Sequence, residues 1–177
     1  ISIINDRLIP ALDVVGKGFE KKTVFLPQLL MSAEAAKSAF AVIKETLSVS
    51  GKTEESKGTV VIATVKGDIH DIGKNIVKVL LENYGFNVID LGKDVEPQAV
   101  VNAVLQNDVK LVGLSALMTT TVPAMEETIK LLKDKMADCK VCVGGAVLTK
   151  EYADMIGADF YAKDALETVK YAQKIYL

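Results

Sequence analysis

From Thr59 onward the chain alternates between two hydrophobic periods, and that alternation restricts its fold more than any other feature. "TVVIATV" is a continuous apolar β-run followed by a helical pattern over about Gly73–Tyr84. "FNVIDLG" then precedes a helix over about Pro97–Asn107, and "VKLVGLSAL" one over about Val122–Met136. "KVCVGG" precedes a short helix over about Lys150–Ile156, and "ADFYAKD" a closing helix over about Ala165–Tyr176. Strands apolar at every position are buried on both faces, so five such β–α repeats predict a parallel sheet covered by helices on each side. Five strands in this length favour the flavodoxin-like (Rossmann-like) α/β order 2-1-3-4-5.

The first 49 residues have a different character. Leu8, Leu12, Val15 and Phe19 recur at helical spacing, followed by Leu26, Leu29, Leu30, Ala33, Ala36, Phe40, Ile43 and Leu47. Pro27 sits at a helix start, where its missing N–H is harmless. "GKGFEKKTVF" reads as the short connection between two antiparallel helices. Two helices leave apolar surface open, and another pair would complete a four-helix bundle. The opening "ISIINDRLIP" lacks Met and already looks helical, as expected of an N-terminally truncated cap. "SVSGKTEESKG" is polar and aperiodic. The expected division is a helical cap over 1–49, a linker over 50–58 and an α/β domain over 59–177.

Composition narrows the function. With 50% hydrophobic and 25% charged residues and a net charge of −2, the chain lacks the basic footprint of nucleic-acid binding. No apolar run reaches the roughly 20 residues that span a bilayer, and no signal peptide is evident. Two cysteines are too few for a disulfide framework and suggest a reducing, cytoplasmic setting.

In an open α/β sheet, ligands bind beyond the carboxyl ends of the strands, where the winding reverses. The unusual residues fall there. The only histidine, His70, lies in "GDIHDIGKN" just after strand 1. Ser115 ends strand 3 and leads into "ALMTTTVP", with Thr119, Thr120 and Thr121; Gly144 and Gly145 end strand 4. The first loop has neither a phosphate nest nor GxGxxG, which argues against flavin or dinucleotide binding. A receiver site built on Asp68, Asp71 and Lys163 would leave His70 idle. Zinc would need Cys139 and Cys142 beside the one histidine, and these fall on opposite faces of strand 4. "CKVC" also lacks the helix-start context of a redox pair. A lone imidazole suits a metal that arrives within a cofactor, because the protein then supplies a single axial ligand. Asp68 could hold the other ring nitrogen. A histidine beside an aspartate in such a loop also fits a plain helix cap.

Asp68-x-His70-x-x-Gly73, with Ser115-x-Leu117 after strand 3 and Gly144-Gly145 after strand 4, resembles the signature of cobalamin-binding domains. The resemblance covers essentially the whole chain. "VGKGFEKKTVFLPQLLMSAEAAK" is similar to the helical cap of corrinoid methyltransferases, and "VGGAVLTKEYADMIGADFYAKDA" to the strand 4 to strand 5 region of methionine synthases. It implies that His70 is the axial cobalt ligand, replacing the dimethylbenzimidazole of cobalamin, whose nucleotide tail enters the sheet edge. It further implies that Gly144 and Gly145 let the tail pass the backbone and that Ser115 hydrogen-bonds it. Asp68 would link His70 to a hydroxyl, which is Thr121 here where the family usually has serine. An N-cap of the helix starting at Val122 is an equally natural use of Thr121. Asp71, Gly73, Leu117 and Thr119 belong to the implied cofactor-binding set, and Phe19 and Leu26 to an apolar lid over the corrin.

The function implied is a methyl-carrying module using methylcobalamin. The first expectation is methionine synthase, taking methyl from methyltetrahydrofolate and giving it to homocysteine, with folate, homocysteine and reactivation domains as partners. The alternative is a free-standing corrinoid carrier serving separate methyltransferase subunits for methanol, methylamines or aryl ethers. A cobalamin light sensor is a third class, disfavoured by the absence of Trp. Neither nucleic acid nor membrane is expected as a partner.

Overall fold

The computed structural model describes residues 7–49, 56–107 and 109–176, so most of the expected 50–58 linker lies outside the described residues. The side chains of Phe40, Ile43 and Leu47 lie outside them too. The helices are α1 (Ile9–Glu20) and α2 (Leu26–Val49), then α3 (Ile72–Asn83), α4 (Pro97–Asn107), α5 (Val122–Lys135), α6 (Lys150–Met155) and α7 (Ala165–Tyr176). Between them run β1 (Thr59–Thr64), β2 (Asn87–Asp90), β3 (Leu111–Ser115), β4 (Lys140–Gly144) and β5 (Phe160–Tyr161). The five strands are parallel, in the order β2-β1-β3-β4-β5, as the alternation predicts.

The sheet has an apolar layer on each face. Val61, Ala63, Val112, Val141 and Val143 pack with α4 and α5, whereas Val60, Ile62, Leu111 and Cys142 pack with α3 and α7. Successive residues of β1 therefore enter different layers, and all from Val60 to Thr64 are buried, which explains why the strand carries no polar alternation. Cys139 and Cys142 fall in opposite layers, and both are free thiols. Burial pushes them up to about 11 and about 12, removing the thiolate that metal binding or redox chemistry needs.

The cap shares a core with the α/β unit. Leu12, Leu29, Ala33 and Ala36 join the α3–α7 layer, and the buried Asn83 Nδ2 donates to the Ala33 carbonyl at 3.0 Å. One expectation needs correction. "GKGFEKKTVF" is not all connection: α1 continues through Gly16 and Gly18 to Glu20, leaving only Lys21–Phe25 between the helices. These glycines serve close packing instead. A Cβ on Gly16 would come within 2.9 Å of Leu166 on α7, and one on Gly18 within 2.6 Å of Val24. Strand β5 covers only Phe160 and Tyr161 of the expected "ADFYAKD"; Ala158 N–H bonds instead to Ala153 O in α6, while Asp159 and Ala162 N–H still donate to Val141 O and Val143 O of β4.

Candidate functional site

Thr64, Ser115 and Gly144 are register partners across β1, β3 and β4, so the strand ends form one row. The hydroxyls of Thr64 and Ser115 are 2.9 Å apart and share a hydrogen bond. Beyond the row, the β1–α3 loop turns back on itself, with Asp68 N–H donating to Val65 O and Val65 N–H to Ser115 O. This turn drives Asp68 inward until it is fully buried.

A buried carboxylate must have its lone pairs satisfied, and Asp68 does. Oδ1 accepts from the His70 backbone N–H at 3.0 Å and lies 2.8 Å from His70 Nδ1. Oδ2 accepts from the N–H groups of Leu117 at 2.7 Å and Met118 at 3.2 Å, and from the Thr121 hydroxyl at 3.0 Å. Thr121 Oγ1 also lies 2.8 Å from Met118 O, so its single proton is shared between two acceptors. Burial alone would raise the Asp68 carboxyl. The donors, led by the His70 and Leu117 amides, outweigh burial and hold it well below the usual carboxylate range. An ionised Asp68 has no proton to give, so Nδ1 is the donor of this bond, and the neutral ring then carries its lone pair on Nε2. The imidazole is 45% exposed, whereas its carboxylate partner is wholly covered. The site thus presents one oriented, basic nitrogen backed by a buried charge.

α3 follows directly, and its first turn borders a cavity of about 420 Å³ between the sheet, α3, α7 and the cap. Gly73, Ser115, Gly144, Gly145, Phe19 and Leu26 all line it. Gly145 has φ +136°, and a Cβ there would lie 1.8 Å from the Ala116 carbonyl oxygen, so only glycine fits. At Gly73 an added Cβ would meet no atom within 4 Å, leaving that part of the wall open.

The expected residues therefore separate into groups. Asp68, His70 and Thr121 form one hydrogen-bond chain, and the six residues above form the cavity wall. Leu117 offers its amide to Asp68 while its side chain is exposed. Asp71, at the start of α3, and Thr119, exposed in a 3-10 turn, belong to neither group. Thr121 is not a helix cap: it occupies the N-cap position of α5 in αR geometry and makes no side-chain capping bond. Nor does His70 cap α3, whose N-cap position is Asp71. Among the described residues no group of three His, Cys, Asp or Glu could hold a metal ion.

Sequence reasoning missed three residues. Thr64 is hidden in an apolar run, and only its pairing with Ser115 gives it meaning. Lys74 lines the cavity with its side chain 3% exposed and reaches Asp90 at 2.6 Å. A polar residue at the C-terminal end of a strand, as Thr64 and Asp90 both are, was the available signal.

An open parallel sheet with a cavity at its switch point, walled in part by α1 and α2, and an oriented imidazole in the loop after β1 defines a ligand-binding type of α/β module. Comparison with known proteins specifies the ligand. One B12 binding domain model matches residues 58–170 and a second matches residues 1–44. Dimethylamine corrinoid protein 1 of Methanosarcina acetivorans is 40% identical over 98% of this chain and 82% of its own length. A corrinoid protein of Desulfitobacterium hafniense is 40% identical over 99% of the chain and 82% of its own. Among solved structures, the methanol:cobalamin methyltransferase complex MtaBC from Methanosarcina barkeri superposes with TM-score 0.86 at 35% identity. That match covers 99% of this chain and 67% of that one. A cobalamin-binding protein of Desulfitobacterium hafniense gives TM-score 0.80 at 33% identity, covering 92% of this chain and 77% of its own. A Francisella receiver domain, 14% identical at TM-score 0.53, shares the fold alone.

The chain belongs to the B12-binding family of corrinoid proteins, and its cofactor is cobalamin. These relatives match the corrinoid-carrier expectation better than methionine synthase, and they give no support to folate or homocysteine partners. Among the described residues no helix is long and apolar enough to cross a membrane.

Proposed function

We propose that this protein carries a methyl group on cobalamin between separate methyltransferase proteins of the methylamine or methanol type, and that His70 would hold the cofactor's cobalt through Nε2. The observation that carries this reading is the Asp68–His70 pair: a buried, ionised carboxylate fixes the proton on Nδ1 and leaves a basic nitrogen on a half-exposed ring. Three residues beyond His70, Gly73 lines a cavity whose wall also includes Gly113, Gly144 and Gly145, which fits a cofactor whose bulky tail must pass close to backbone. The names of the relatives favour methylamine or methanol systems.

Bound cobalamin supplies a metal that accepts and releases a methyl group. The chain's own residues bind and orient. Asp68 holds the imidazole and, through Thr121, ties it to the loop after β3. Ser115, kept in place by Thr64, offers a hydroxyl to the cavity, and Gly73, Gly144 and Gly145 leave room for the tail. Phe19 and Leu26 exclude water from the cap side. Residues 1–49 would serve as the cap and 59–177 as the cofactor-binding domain, with 50–58 linking them.

The test is reconstitution of the chain with cob(II)alamin and isotope-labelled histidine. Superhyperfine coupling to a histidine nitrogen, lost in His70→Ala, is the expected result; coupling to the benzimidazole nitrogen would overturn the axial role. Methyl transfer should occur with dimethylamine- or methanol-specific methyltransferases and fail with methyltetrahydrofolate and homocysteine.

A further inference from the structure

Asp94, in the β2–α4 loop, has a backbone conformation that few side chains adopt, with φ +54°. It also makes a reciprocal pair of hydrogen bonds with the histidine loop. Its N–H donates to Asp68 O at 3.0 Å, and its Oδ1 accepts from Gly67 N–H at 2.7 Å. The neighbouring backbone continues the clasp, since Thr64 N–H donates to Gly92 O, Val95 N–H donates to Thr64 O, and Val65 bridges Val95. Lys66 Nζ lies 3.5 Å from Asp94 Oδ1 and 2.7 Å from Glu96, so a cation flanks the acceptor.

We propose that Asp94 is a positioning residue for the imidazole: it clamps the main chain on either side of Gly67 and Asp68, at the Gly67 N–H and the Asp68 carbonyl, and so sets where the Asp68 carboxylate meets His70. The relevance to cofactor binding rests on the reading of His70 as cobalt ligand. The geometry explains the residue type. The turn at 94 requires a residue that tolerates positive φ, which Asn and Asp do better than other non-glycine residues. The Gly67 amide requires an acceptor one methylene from the backbone, which glycine lacks. Asp68 is held from two sides, by Asp94 through its main chain and by the 117–121 segment through its carboxylate. Without the bond from Gly67 N–H to Asp94 Oδ1, the main chain at Gly67, itself at φ +83°, loses its side-chain anchor, and the Asp68 carboxylate loses its aim at Nδ1.

Three variants separate the requirements. Asp94→Asn keeps both conformation and acceptor, Asp94→Gly keeps the conformation and the N–H to Asp68 O but loses the acceptor for Gly67, and Asp94→Ala loses the acceptor and strains the turn. The measurement is the His70 tautomer by ¹⁵N NMR, with amide exchange at Gly67, on the full chain without cobalamin. Wild type and Asp94→Asn should hold the proton on Nδ1. Asp94→Gly should show a several-fold smaller Nδ1–H fraction and faster Gly67 exchange at unchanged global melting temperature. A wild-type tautomer and Gly67 exchange rate in Asp94→Gly would overturn the proposal, as would an Nε2-protonated ring in the wild type. On cobalamin loading, Asp94→Gly should lose histidine coupling several-fold while retaining most of the cofactor. If wild type itself showed no histidine coupling, the ligand role would fall, and the tautomer measurement would still decide the clamp.

Discussion

Asp68 Oδ1 accepts two hydrogen bonds from the same residue, the His70 backbone N–H at 3.0 Å and the His70 ring at Nδ1, 2.8 Å away. The two bonds close a small cycle that fixes the ring relative to its own main chain. Buried acceptor and half-exposed donor thus act as one unit.

The first prediction follows from the charge of Asp68. Its folded carboxyl lies below the ordinary value of 3.8, so the ionised form is favoured by folding. That contribution is complete above about pH 5 and is lost progressively as pH falls through the unfolded value toward the lower folded one. Urea denaturation from pH 7 to pH 2 should show wild type losing stability below about pH 5. Asp68→Asn should be weaker at pH 7 by about 2 kcal/mol, since its amide N–H₂ would face other donors, and flatter below about pH 5. Parallel curves for the two proteins would mean that other carboxylates carry the acid sensitivity.

Thr121 has two parts to lose. Its hydroxyl serves Asp68, and its methyl lies 3.4 Å from where a Gly67 Cβ would stand. Thr121→Val should cost about 1–2 kcal/mol by leaving a buried acceptor short of a donor. Thr121→Ser should cost less and preserve the hydrogen bond, as judged by chemical denaturation. A more damaging Ser than Val would show that the methyl, not the hydroxyl, is what matters.

The adjacent glycines differ sharply. Gly145→Ala would place Cβ 1.8 Å from Ala116 O at φ +136°, and should cost more than about 3 kcal/mol or prevent folding. Gly144→Ala meets Ala162 O at 3.3 Å, so it should fold with a loss of about 1 kcal/mol and yet bind cobalamin several-fold more weakly. Thermal melts and cofactor titration separate the two outcomes.

Lys74 and Asp90 form a mostly buried ion pair at 2.6 Å, with Lys78 a second cation 3.4 Å from the same carboxylate. Lys74→Met should cost about 2–3 kcal/mol, less than for a carboxylate left wholly alone, because Lys78 remains. Lys74→Met with Asp90→Asn should recover part of the loss. A double-mutant cycle by urea denaturation gives the coupling, and strict additivity would show the pair to be energetically silent.

Much of this protein is determined locally. The apolar runs of β1, β3 and β4 and the helical periods between them specify a doubly covered parallel sheet, because backbone periodicity and burial are readable from neighbours in the chain. Sheet order then places Ser115 beside Gly144 at the strand ends, with the loop that carries His70 following the adjacent strand β1. Tertiary structure alone decided what those residues do to one another. Asp68 lies 49 to 53 residues from the Leu117 amide and Thr121 hydroxyl that hold its charge. Thr64 acquires a role only through Ser115, and Gly16 only because α7 brings Leu166 against it. Asp94 looks like any loop aspartate until its positive φ and its bond to Gly67 are seen. Hydrogen bonds and close contacts depend on ångström distances between distant segments, and a linear pattern holds no record of those.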